Sequence, residues 1–264
     1  MTAADPVPGH SHLPAEPWSP IVVVIVVLAL AYLAAAARAG TGPHGWPRRR
    51  TAAWLLGCAV AVVALSPVLA GHDPRTHMAR HLLLGMVSPL GLVLAAPVTL
   101  LLRVTEPATG RRISRVLRAR AVHVLSHPAS AALLAVGGLY AVLLPPRAEV
   151  AGTHPVLHNV LLLHYLAAGY LFTWSIAGPD PAPRRPGTTT RVVVLVLAAA
   201  AHSVLSKVLY ARAPDGPGGE AVRGAAQLMY YGGDLAELAL AAVLFATWYR
   251  RRTSDQATRG LRGR

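Results

Sequence analysis

The sequence predicts an all-α fold: a polytopic membrane helix bundle of about seven transmembrane helices, with the N-terminus outside and the C-terminus cytoplasmic. Three observations carry this expectation. Of 264 residues, 54% are hydrophobic and only 14% charged, where an average soluble domain has roughly a quarter charged. Seven apolar runs approach the ~20 residues that a helix rising ~1.5 Å per residue needs to cross a hydrocarbon core. The 25 basic residues, set against 11 acidic ones for a net charge of +14, gather in alternate connections between those runs. On a soluble chain that charge would point to nucleic acid. On an apolar one it points to loops at the cytoplasmic face of a bilayer, with no nucleic acid partner.

An extracytoplasmic segment, 1–19, precedes the spans, which occupy 20–249. The first span, 20–37, ends in small residues that offer a cleavage site, but no positive region precedes it as a signal peptide requires, so it is expected to be retained. The second covers 51–70. The third, 77–102, is long and carries Pro89 and Pro97, which predict a kink. A basic, amphipathic segment, 103–128, follows. The fourth, 129–145, is short and ends at Pro145-Pro146. The fifth, sixth and seventh cover 156–176, 191–211 and 225–248, and a polar, mobile tail is expected over 250–264. Arg38, Arg48, Arg49 and Arg50 lie in one connection. Arg103, Arg111, Arg112, Arg115, Arg118 and Arg120 lie in the next of that side. Arg184, Arg185 and Arg191 follow, and then Arg250, Arg251, Arg252, Arg259, Arg262 and Arg264. The opposite connections hold Arg75, Arg147, Arg212 and Arg223, and residues 1–19 hold no basic residue. Four loops agreeing in this way put the C-terminus inside.

The histidines sort the other way. His10, His12, His72 and His154 fall in outer segments, and His77, His81, His158 and His164 in outer halves of spans. His202 sits near the middle of the sixth span, and only His44, His123 and His127 map to the cytoplasmic side. Helix rise puts His81, His164, His202 and Asp234 about 10–15 Å below the outer surface. His77 and His81 are one helical turn apart, and Met78 is three residues before His81. Two imidazoles and a thioether suit copper, the thioether favouring Cu(I). Each histidine has a plain structural alternative, a hydrogen bond to a neighbouring helix. Polar groups in lipid are costly enough to need one reason or the other. His158 and His164 fall on different faces of the fifth span, so both point inward only if that helix is central.

Lys207, Asp234 and Glu237 are further charges inside spans. Asp234 and Glu237 share a face, with Tyr230 one turn above. As a pair they must share a proton or meet Lys207, His202 or a metal. Cys58 is the single cysteine, which excludes internal disulfides and multi-thiolate metal sites. It reads as packing.

Taken together these segments resemble a known family. HMARHLLLGMVSPLGLVLAAPVTLLLR is similar to the third-span signature of the CtaG-type cytochrome c oxidase assembly factors. The fifth span, from His164 through Trp174 to Gly178, Pro179, Asp180 and Pro181, His202 in the sixth, and the closing GAAQLMYYGGDLAEL…W resemble that family too. The likeness runs from about residue 72 to 250. It departs at Ser88-Pro89, where many members have a double proline. A different, single-span copper protein has shared the family's name, but its cysteine-bearing soluble domain has no counterpart here.

The resemblance implies a multi-pass protein, not an enzyme, that helps copper reach the copper B centre of oxidase subunit I. The site expected on this basis begins with His77, Met78 and His81 as the copper-receiving set. His158, His164 and His202 form a deeper shell beside Asp234. His72 and His154 are the way in, with Tyr230, Glu237 and Lys207 as supporting groups. The cargo is copper, as Cu(I). Partners are subunit I, an extracytoplasmic copper chaperone and the lipid bilayer. One lysine beside 24 arginines points to a GC-rich genome and hence a bacterial plasma membrane. A copper transporter and a bis-histidine haem protein, with His81 and His164 as axial ligands, remain alternatives. A retinal protein is disfavoured because the seventh span has no lysine. Hydrolase chemistry is disfavoured because Ser203 and His202, adjacent on a helix, point ~100° apart.

Overall fold

A computed structural model describes residues 19–42, 45–71, 73–143, 155–182 and 185–262. His10, His12, His44, His72 and His154 lie outside these residues. So do Arg147, Arg184 and the prolines proposed to end the fourth span. The described residues form helices and connecting turns, without strands.

The helices are α1 (Ile21–Gly40), α2 (Arg48–Ala64), α3 (Pro74–Leu82), α4 (Ser88–Leu94) and α5 (Pro97–Val104). They continue with α6 (Pro107–Leu117), α7 (Arg120–Leu125), α8 (Pro128–Ala132) and α9 (Gly138–Leu143), and close with α10 (Pro155–Ala177), α11 (Thr188–Ala211) and α12 (Pro217–Arg262). Proline opens six of these helices, where its missing N–H costs nothing and its fixed φ suits the first turn. At α3 the Asp73 carboxylate completes the cap by accepting from the Arg75 amide at 2.8 Å. Five stretches are long and apolar enough to cross a membrane: Ile21–Gly40, Pro74–Val104, Val156–Ala177, Thr188–Ala211 and Pro217–Arg250. Their outward faces carry large apolar side chains, Leu30 and Leu235 among them, as lipid contact requires and water disfavours.

Several boundaries differ from expectation, the last helix beginning at Pro217 and not at 225. The second apolar run forms helix only to Ala64, not to 70, because Pro67 removes a hydrogen bond and restrains Ser66. The last helix continues through 250–262, where a mobile tail was expected. That stretch has no proline and several good helix formers, and its basic residues suit a helix C-terminus.

The third span is three helical pieces. Between α3 and α4 lies a wide π-turn, Leu83–Val87, in which the Ser88 amide bonds back five residues to Leu83. Pro89 accounts for it: it lacks an N–H, and its ring would strike the carbonyl four residues back. A second wide turn, Leu133–Gly137, separates α8 from α9. After α4 the chain breaks at Ala96, whose φ of 52° is left-handed, and restarts at Pro97. Both loose ends are satisfied. Tyr32 Oη donates to the Ala95 carbonyl at 2.9 Å. The buried Asp180 carboxylate accepts from the Val98 amide at 3.2 Å, the Thr99 amide at 2.7 Å and the Thr99 hydroxyl at 2.6 Å. Tyr32 also stacks on Trp54 at 4.6 Å and accepts from Trp46 Nε1 at 3.2 Å. Tyr32→Phe removes both bonds and leaves a buried carbonyl unpaired. The unfolding free energy in detergent is expected to fall by about 1–2 kcal/mol, measured by chemical denaturation.

The α3–α4 segment is central, packed by α2, α10 and α12, while α1 lies against α2 and α5. Small residues permit the crossings: a Cβ on Gly91 would meet the Gly57 amide nitrogen at 2.8 Å, and one on Gly169 would lie 3.0 Å from the Gly85 Cα. Contacts tie the basic connections into one end of the bundle. Arg103 donates to the Gly45 carbonyl at 2.8 Å and Arg191 to that of Ile176 at 3.0 Å. At the opposite end Ser19 donates to Asn159 at 3.0 Å, and Arg80 to the Leu69 carbonyl at 2.5 Å.

Candidate metal centre

His81, at the end of α3, and His202, in the middle of α11, are both buried, at 6% and 3% exposure. Their ring centroids are 6.1 Å apart. They line a cavity of ≈ 40 Å³ with Gly85, Met86, Tyr165 and Glu237. That exceeds the ~10–15 Å³ one water needs. Both wide turns face it, the first through Gly85 and Met86, the second through Ala135 and Val136. Such turns recur where a helix must re-aim side chains.

The polar atoms here lack the partners that burial normally demands. His81 Nδ1, both ring nitrogens of His202 and the Tyr165 hydroxyl make no hydrogen bond. Glu237 is the nearest counter-charge, its carboxylate 3.7 Å from His202 Nδ1. Tyr165 is the hub of the cluster. His81 meets it edge-on at 4.9 Å and His77 at 6.4 Å, and His164 lies at 6.3 Å. An ion held ~2.0–2.1 Å from a nitrogen of each of two imidazoles sets their centroids about 5–6.5 Å apart, and the His81–His202 pair falls in that range. Among the described residues, no three His, Cys, Asp or Glu side chains converge on one metal position. The arrangement is a pair of imidazoles with a thioether and a carboxylate beside it.

The other expected residues take different places. His158 Nε2 accepts from the Arg80 guanidinium at 2.9 Å, which occupies that lone pair. His164 Nε2 donates to the Leu134 carbonyl in the second wide turn at 3.2 Å. Both are helix-to-helix hydrogen bonds, the structural alternative. Met78 is buried in the same apolar cluster as Tyr165 and Met229. Asp234 accepts from Ser203 at 3.5 Å, and Lys207 lies over the Tyr230 ring at 5.4 Å, not against the carboxylates.

Three participants were not anticipated. Arg80, buried beside His81 in sequence, anchors His158. Tyr165 sits among the histidines. Met86 reaches the cavity through the wide turn. Gly233 backs His202: a Cβ there would come within 2.6 Å of His202 Nδ1. Gly233→Ala is therefore expected to displace the His202 ring, with helicity unchanged. A shift of the His202 imidazole NMR signals measures it.

Comparison with known proteins gives a consistent frame. Residues 30–251 match the family model of the cytochrome c oxidase caa3 assembly factor, Caa3_CtaG. Uncharacterized proteins of Mycobacterium bovis and Mycobacterium tuberculosis are each 36% identical over 174 residues, and one of Mycobacterium leprae is 32% identical. Each match covers 62% of this chain and 26% of the relative, so the chain spans about a quarter of the length of the curated relatives it matches. No solved structure matches it.

Proposed function

The chain belongs to the caa3 cytochrome c oxidase assembly factors, and from that premise we propose that it carries Cu(I) to the copper B centre of oxidase subunit I. The observation that carries this reading is the pair of buried imidazoles, His81 and His202, with unpartnered nitrogens on one small cavity. Cu(I) tolerates two-coordinate binding and favours soft donors; Met86 supplies a thioether, and Glu237 offsets the ion's charge. His77, on the α3 turn before His81, is the receiving residue, taking copper from an extracytoplasmic chaperone. Few strong ligands suit cargo that must leave again.

In the bilayer, α2 and the shorter apolar stretch Pro128–Leu143 join the five longer stretches as crossings. This makes seven, with the arginine-rich end facing the cytoplasm of a bacterial plasma membrane. Two features favour delivery over the alternatives. Ile176, Leu195, Leu240 and Leu244 form a buried apolar cluster that offers a translocating ion no ligands. A cavity of ≈ 40 Å³ falls far below the ~300–1,000 Å³ of organic cofactor sites, which disfavours haem. X-ray absorption of the Cu(I)-loaded full chain tests the reading. Imidazole nitrogens at ~2.0 Å are expected, with a sulfur shell lost in Met86→Leu. A spectrum without imidazole would refute it.

A further inference from the structure

A second and larger cavity, of ≈ 120 Å³, lies at the arginine-rich end of the bundle, remote from His81 and His202. It forms where the α6–α7 segment meets the end of α10 and the loop that follows. Its polar lining includes Arg118, His123, His127, Trp174 and Arg185, and among the described residues no acidic side chain faces it. Trp174 is 7% exposed, and its Nε1–H, a donor with no acceptor capacity of its own, has no hydrogen-bond partner. A buried orphan donor in a basic cavity calls for an acceptor from outside the chain.

The surrounding residues hold this lining in place. The Arg185 guanidinium lies 5.7 Å over the Trp174 ring, donating to the Gly178 carbonyl and, at 3.1 Å, to that of Asp180. His127 caps α8, its Nδ1 accepting from the Ala129 amide at 3.3 Å. The opening is set by α6 and α7. α6 carries Arg111, Arg112 and Arg115 together with Ile113, Val116 and Leu117, the make-up of a helix lying in a membrane interface. Val116, Val124 and Leu125 are exposed, so this segment presents apolar anchors beside the cavity mouth.

We infer that this cavity binds a phosphate oxyanion, the headgroup of an anionic phospholipid being the source that its interfacial position favours. Arg118 and Arg185 supply positive charge, and Trp174 Nε1 supplies a directed donor to one oxygen. The bound headgroup would clip α7 to the end of α10, next to the loop in which Asp180 holds the broken third span.

Native mass spectrometry of the purified full chain, from micelles holding equal phosphatidylglycerol and phosphatidylcholine, tests this. The wild type is expected to retain one phosphatidylglycerol per chain, at least 5-fold in preference to phosphatidylcholine. Trp174→Phe, which keeps the ring and removes the donor, and Arg118→Gln, at an exposed position, are each expected to lower retention 5-fold or more. Inorganic phosphate is added in a second arm. Competition by phosphate at millimolar levels would show that the oxyanion alone suffices, which supports the site with a soluble source. Equal retention of the two lipids without phosphate binding, or retention unchanged in both variants, would overturn it.

Discussion

Replacing His81 and His202 together by alanine is expected to remove tight Cu(I) binding from the full chain, lowering affinity by roughly 100-fold or more. Residues that merely orient a metal's ligands are worth ~10–100-fold in affinity, so loss of both ligands should exceed that range. The helices should form as before: His81 Nδ1 and both ring nitrogens of His202 make no hydrogen bond that the bundle would lose, and alanine is a strong helix former. His77→Ala should behave differently. It leaves one copper bound per chain and slows loading, because His77 lies outside the cavity lining on the turn before it. Chelator-competition titration separates the two, and an unchanged affinity in the double variant would remove copper from the cavity.

Asp180→Ala should give the largest loss of stability, about 2–4 kcal/mol, with a lower midpoint in detergent denaturation. The carboxylate is 1% exposed and caps α5 with three hydrogen bonds. An N-cap alone is worth ~0.5–2 kcal/mol, and stranding buried donors adds to it. Asp180→Asn recovers only part, since its amide cannot accept on both sides. Copper binding to the folded fraction should persist, because Asp180 and His81 occupy opposite ends of the bundle. A wild-type midpoint would mean that water replaces the cap.

Much of the fold is legible from composition and from proline. The apolar runs mark the long helices, and Pro74, Pro97, Pro107, Pro128, Pro155 and Pro217 stand at helix starts, where a fixed φ and a missing N–H belong. Equal depth groups His81 and His202 with His164 and Asp234, but depth alone does not select the His81–His202 pair. Nor does it identify the thioether. On a regular α-helix His81 and Met86 lie about 140° apart, so helical spacing selects Met78. The wide turn at Leu83–Val87 brings Met86 round to the cavity instead, and its cause, Pro89, reads in sequence only as a kink. The role of His158 is likewise not set by spacing: its partner is Arg80, a charge inside a span. Asp180 is visible in the GPDP segment, but its role depends on the helix break at Ala96, eighty-four residues earlier.

Delivery requires that copper on His81 and His202 reach the oxidase. It is tested most directly in cells lacking this protein and supplied with either the wild type or the His81→Ala/His202→Ala form at matched membrane levels. The measurement is the copper-to-haem ratio of the isolated oxidase. The wild type is expected to restore full copper, while the double variant leaves haem in place and the copper B centre empty. Full copper in oxidase from cells carrying the double variant would show that delivery does not pass through His81 and His202.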